Sequence, residues 1–241
     1  MPRAPIPAHS VTRSTLAALA LLAAGCAGPA VAPPFAWDPA FASPGTTLTL
    51  QELSRTPTPE GTQVVYRIES RGFAEAEAPV LWWKRGEQFG RFAVALTTSG
   101  IVLVQPESDV FTIAEFVSGE PLDVALLDAG SGTRAQAKVI PFPIEAEGTG
   151  GTHASAEIQS VTGHAFLVTL SGFAAGETVR VESRLGEALV VLEPAASATG
   201  EVVVPLAFEA GATGEASLTA TGGRGAVTLV HAVGAPALVV R

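Results

Sequence analysis

Gly172-Phe173-Ala174-Ala175-Gly176-Glu177-Thr178-Val179-Arg180-Val181 restates a piece that stands one hundred residues earlier, where Gly72-Phe73-Ala74 is followed by Glu77. The same offset matches Gly86-Glu87 with Gly186-Glu187, Gly100 with Gly200, and Val102 and Val104 with Val202 and Val204. Upstream, Tyr66 and Ile68 align with Phe166 and Val168, and no gap is needed anywhere in the stretch. Apolar positions and turn residues that recur in one register mark a duplicated structural unit. The reading is two copies of one module, residues 46–144 and 152–241, joined by a hinge at 145–151.

The spacing within each copy predicts strands. Val64, Tyr66 and Ile68 alternate with Val65, Arg67 and Glu69; Val179 and Val181 alternate with Thr178, Arg180 and Glu182. Leu122, Val124 and Leu126, then Ala135, Ala137 and Val139, follow the same two-residue period. Successive side chains of a strand face opposite ways, so these are strands with one buried face. Each copy holds about seven or eight such runs, broken by Gly, Pro or Asp, which suits a two-sheet antiparallel sandwich. Pro141-Phe142-Pro143 is expected to end the last strand of the first copy, and Gly148-Thr149-Gly150-Gly151 to free the hinge.

Composition agrees with an all-β protein. The chain has 241 residues, of which 47% are hydrophobic and 15% charged, with 25 Gly and 18 Pro. That is too apolar for a disordered chain and supplies frequent turns. The net charge is −9, and loss of a leader carrying Arg3 and Arg13 leaves 12 basic against 23 acidic groups, or −11. Such a balance excludes a phosphate backbone as the natural partner, so no nucleic acid is expected. With one cysteine, Cys26, no intrachain disulfide forms.

The N-terminus reads as an address. Arg3 and Arg13 precede the apolar run Leu16–Ala24, and small residues lead to Gly25-Cys26. Nine apolar residues are too few to span a bilayer as a helix, which needs about 20; the layout is that of a secretory signal over residues 1–25. Leu22-Ala23-Ala24-Gly25-Cys26 resembles the lipobox of bacterial lipoproteins, with Ala23 where that family usually has Leu. The resemblance implies a diacylated Cys26 as first residue of the mature protein, anchored in membrane lipid. Ala27 after the cysteine implies outer-membrane sorting, with the protein facing periplasm or surface. Residues 26–45, rich in Pro and Ala, read as a tether. Phe35, Trp37 and Phe41 within it are expected either to dock on the first module or to contact the membrane surface, docking being preferred.

Gly172-Phe173-Ala174-Ala175-Gly176-Glu177-Thr178-Val179-Arg180-Val181 also resembles the turn-and-strand entry of immunoglobulin-like modules in bacterial envelope proteins, with Ala175 where Pro is usual. Phe116-Val117-Ser118-Gly119-Glu120-Pro121-Leu122-Asp123-Val124 is a similar piece. The resemblance implies tandem immunoglobulin-like sandwiches, with Trp82 at the core tryptophan position and Glu182 at its counterpart in the second module.

The search for chemistry finds little. His153, His164 and His231 lack the spacing of metal ligands, and no Gly-x-Ser-x-Gly elbow occurs. The loops at Asp109 and Asp128 are the places where a weak Ca²⁺ site is conceivable, and no cofactor is expected. Trp82-Trp83-Lys84-Arg85 is the distinctive cluster. Trp82, Trp83 and Arg85 are candidate partner or glycan contacts, because one of two adjacent indoles must face the sheet surface. The expected function is a non-catalytic, lipid-anchored cell-envelope protein, an interaction or structural module with an envelope protein as partner. The alternatives are a glycan-binding module using Trp82 or Trp83, and a hydrolase with an unrecognised site.

Overall fold

The computed structural model describes residues 33–38, 42–73, 76–104 and 108–241. Cys26, the signal segment and Phe41 lie outside the described residues. The first sandwich contains β1 (Thr47–Thr58), β2 (Gly61–Arg71), β3 (Pro79–Arg85), β4 (Gln88–Ala93), β5 (Ala95–Leu96), β6 (Val102–Leu103), β7 (Val110–Ile113), β8 (Leu122–Asp128) and β9 (Arg134–Val139). The second contains β10 (Ile144–Glu147), β11 (His153–Ile158), β12 (Ala165–Ser171), β13 (Arg180–Leu185), β14 (Ala188–Leu192), β15 (Val202–Ala207), β16 (Gly214–Thr221) and β17 (Ala226–Val233).

The sheet orders of the two sandwiches correspond. One sheet runs β1-β2-β7 and β10-β11-β12-β15; the other runs β4-β3-β8-β9 and β14-β13-β16-β17. All named pairings are antiparallel. The duplication extends to register: Trp82 pairs with Arg91 where Glu182 pairs with Val191. Apart from β10, which has no counterpart in the first sandwich, it fails at one strand. Phe166 of β12 pairs with Leu206 of an unbroken β15, whereas Tyr66 of β2 pairs with Phe111. Five extra residues in the first copy split that strand into β6 and β7, which is where the hundred-residue offset is lost.

Each sandwich has its own hydrocarbon core. Val64, Tyr66, Ile68, Leu81, Val124 and Leu126 meet in the first; Phe166, Val168, Leu170, Val204, Leu218 and Leu229 meet in the second. Their alternation with exposed neighbours is the period seen in the sequence, and each such side chain contributes about 1.5–3 kcal/mol on burial. Burial lifts the Tyr66 phenol to about 12.

The two Phe-x-x-Gly-Glu motifs fold as the same closed turn. Glu177 accepts a hydrogen bond from Ala174 N–H at 2.9 Å, and Glu120 accepts one from Val117 N–H at 3.1 Å, each three residues back. The first turn links β12 to β13 and the second links β7 to β8. Glu177 also accepts from Gly223 N–H, tying its turn to the β16–β17 hairpin. These bonds, Gly223 foremost, hold its carboxyl below the usual range. In the first sandwich Asp128 makes the equivalent tie from the opposite side, accepting from Ala78 N–H at 3.1 Å.

The segment expected to be a hinge carries regular structure. Ile144–Glu147 adds β10 to the second sandwich, and Thr149–Gly151 is a 3₁₀ turn. Gly148 and Gly150 serve close packing: a Cβ on Gly150, at φ +66°, would lie 1.9 Å from the Arg224 carbonyl oxygen. The sandwiches are joined by further bonds. Gly119 donates to Phe142 O and accepts from Ile158 N–H, and Lys138 pairs with Glu157 at 3.0 Å. The chain end returns to the first sandwich, where Val240 bridges Val117, Arg241 N–H donates to Phe116 O, and Thr62 N–H donates to Arg241 O.

Candidate functional site

Trp82 and Trp83 sit side by side on β3 and so face opposite ways. Trp83 packs against the first core with Gly90 directly across from it; a Cβ on Gly90 would lie 2.7 Å from the indole. Trp82 points to the outer face of the β4-β3-β8-β9 sheet. The resemblance placed the core tryptophan at Trp82, but strand parity puts Trp83 there, opposite Val124. The corresponding position in the second sandwich is Ser183, which is buried, rather than Glu182.

The outward indole is not free. Trp82 is 3% exposed. Phe35 meets it edge-on at 6.1 Å, Trp37 backs Phe35 at 5.2 Å, and the Arg91 guanidinium lies 5.4 Å above the Trp82 ring. Gln136 donates to Ala36 O, and Ser43 exchanges hydrogen bonds with the Arg134 backbone. The described part of the tether is therefore docked along β9, as its aromatics suggested. Trp82 lacks an open face on which a sugar ring would stack.

Arg85 is committed as well. It forms an ion pair with Glu120 at 2.6 Å, lies 4.2 Å over the Phe116 ring and donates to Glu115 O. Asp109, weighed as a calcium ligand, is paired with Arg67 at 3.0 Å. Asp128 is buried, and its second oxygen takes the Ser131 hydroxyl at 2.6 Å and the Ser131 amide at 3.0 Å. The Ser131 hydroxyl, then the backbone donors, hold the Asp128 carboxyl below the usual carboxylate range. Among the described residues no three His, Cys, Asp or Glu side chains converge to hold a metal ion.

The histidines have separate roles. His153 lies 3.9 Å from Glu147 on the neighbouring strand, and His164 Nε2 is 2.9 Å from Ala212 O. His231 is buried against Phe166, at 4.4 Å between ring centres, and Phe208. Its Nε2 has no hydrogen-bond partner among the described residues, and burial holds its pKa below the usual value. A cleft of about 420 Å³ lies between β10, β17 and the chain end, with Glu145, Glu215, Arg241 and Ser118 in its wall.

The feature that sequence reading missed is β14. Leu189, Val190, Val191 and Leu192 are 45%, 53%, 40% and 39% exposed, on a strand at the edge of its sheet. An open edge offers unpaired N–H and C=O groups, and proteins usually blunt it. The other edges here carry such devices. β1 has a bulge between Glu52 and Ser54, β15 carries Pro205, β4 carries Arg91, and β10 carries Glu145 and Glu147. β7 is four residues long, β9 is lined by the tether, and β17 lies along β10. Among the described edge strands longer than four residues, β14 alone lacks a charge, proline, bulge or cover. The signal in the sequence was the lack of alternation in Leu189-Val190-Val191-Leu192 where the first copy has Phe89-Gly90-Arg91-Phe92.

Sheet order, shared register and paired cores define an all-β protein of two tandem antiparallel β-sandwiches. No family model matches the chain, and no curated protein does. Among solved structures, the crystal structure of red sea bream transglutaminase is similar at 16% identity over 76% of this chain, with a TM-score of 0.24. The match spans 31% of that transglutaminase chain, and a likeness this slight carries no argument about activity.

Proposed function

We propose that this chain is a non-catalytic cell-envelope protein, anchored in outer-membrane lipid through Cys26, whose second sandwich engages an envelope protein. The observation that carries the reading is β14: an apolar, unguarded sheet edge on a rigid scaffold, in a copy whose twin carries a guard at the same register. An open edge of this kind is a template on which a further strand can pair. The glycan alternative draws no support from the tryptophans, since Phe35 and Arg91 cover Trp82 and Trp83 faces the core.

Two measurements test the reading in the host. Fatty-acid labelling of the wild type, absent in Cys26→Ala, is expected with loss of the protein from the membrane fraction. A photo-crosslinking residue at Val190 is expected to give a discrete adduct, and one at Val161, on a loop distant in sequence, none. Absence of label at Cys26, or equal crosslinking from both positions, overturns the proposal.

A further inference from the structure

We infer that β14 receives an extended segment of a partner protein, added as a fifth strand, whose own sequence is a short aliphatic run flanked by basic residues. The inference rests on the interaction reading above and specifies the ligand of that same edge.

Three observations choose this occupant. The first is the chemistry of the strand. Successive side chains alternate between faces, so Leu189 and Val191 lie on the outer face while Val190 and Leu192 lie on the core side. Both sets are substantially exposed. A strand laid alongside meets hydrocarbon on both of its faces, so an uninterrupted aliphatic run fits better than an alternating one. Backbone hydrogen bonds along the free edge supply affinity and the side chains supply selection, as in other strand additions.

The second is charge. Glu187 and Glu193 bracket the strand, and both are exposed. Glu193 makes one exposed pair with Arg180 at 3.6 Å. The chain as a whole carries 23 acidic against 14 basic residues. A second copy brings the same surplus, and two copies paired antiparallel about Val190 set Glu187 opposite Glu193. Lysine or arginine at the ends of the incoming segment turns that repulsion into attraction.

The third is area. Four half-exposed aliphatic side chains offer on the order of 300 Å² per copy. Two copies joined edge to edge then bury about half of the roughly 1,200 Å² at which specific interfaces begin. A flexible segment needs no second globular surface and is satisfied by one strand's length.

The test uses the full mature chain and a labelled synthetic peptide of four aliphatic residues between paired lysines, read by fluorescence anisotropy. Saturable binding is expected. It should weaken at least tenfold when glutamates replace the lysines and at least tenfold in Val191→Arg, which restores the guard seen in β4. An unchanged far-ultraviolet circular dichroism spectrum and an unchanged urea midpoint followed by that signal in Val191→Arg keep misfolding out of the comparison. Equal binding by Val191→Arg overturns the site, and equal binding of the acidic peptide overturns the charge rule. No peptide binding, together with a concentration-dependent dimer in sedimentation that Val191→Arg abolishes, assigns the edge to a second copy and overturns the inference. If the peptide fails while crosslinking from Val190 still gives a discrete adduct, the ligand assignment falls and the interaction reading stands.

Discussion

Val191 occupies in β14 the position that Arg91 occupies in β4: each lies opposite the second residue counted along the matching stretch of the preceding strand, Glu182 and Trp82. One copy uses the position for a cation that both guards the edge and covers an indole; the other leaves it aliphatic. A duplicated fold thus contains its own control, and the difference between twins is more informative than either strand alone.

Removal of Phe35 should uncover Trp82. All three tryptophans lie at or before position 83, so emission reports the first sandwich and its tether. Phe35→Ala is expected to red-shift the emission, raise acrylamide quenching and cost about 1–1.5 kcal/mol in urea unfolding, the size of an aromatic pair plus lost contact. Unchanged quenching would mean the tether does not cover the ring in solution.

Gly119 couples the sandwiches. It sits at φ +76°, and a Cβ there would lie 2.8 Å from Ile144 Cδ1 and 3.1 Å from Ala156 O. Gly119→Val combines a β-branched residue in the left-handed region with a steric conflict at the junction. Wild-type unfolding followed by tryptophan emission and by circular dichroism should coincide; in Gly119→Val the two curves should separate, because the second sandwich has no tryptophan. Coincident curves in the variant would show that other junction contacts suffice.

Gly150→Ala tests why the former hinge is glycine-rich. The new methyl group meets the Arg224 carbonyl oxygen in a turn that only glycine adopts readily. The expected loss is about 2–3 kcal/mol, within the range for strained backbone and steric overlap. A flexible hinge would instead tolerate the change, with a urea midpoint near wild type.

His231 sets an acid limb on stability. Its pKa in the folded chain is depressed by burial, so above about pH 6.5 folded and unfolded chains are both neutral there and the full stability is present. As pH falls below that value the unfolded chain takes up a proton that the folded chain resists, and stability declines. His231→Leu should flatten this decline between pH 6.5 and 5, at a cost of about 1 kcal/mol at pH 7.5 for the lost Nδ1 hydrogen bond to Ala232 O, Nε2 being unpaired among the described residues. The depressed carboxyls of Asp128 and Glu177 act in the opposite sense of charge and in a lower window, their contribution fading as pH drops through their folded values. An unchanged slope between pH 6.5 and 5 in His231→Leu would assign the acid limb elsewhere.

What local chemistry encodes was legible. Two-residue alternation exposed β2, β8, β9 and β13, and repeated glycines exposed the duplication, because strand parity and left-handed turns depend on residues next to one another. The Phe-x-x-Gly-Glu turns were also visible, since Glu120 and Glu177 bond within three residues. Which indole faces the core was not, because Trp82 and Trp83 differ only in the partners set across them, Arg91 and Gly90.

The chain's sequence by itself determined the strands, the turn geometry, the two-copy plan and the acidic balance, all of which follow from the properties of neighbouring residues. Only the tertiary structure decided that β10 fills what looked like a linker, that Phe35 closes over Trp82, and that β14 ends its sheet uncovered. Those outcomes depend on which segments distant in sequence come to lie side by side, and burial at a sheet edge is a property of neighbours in space.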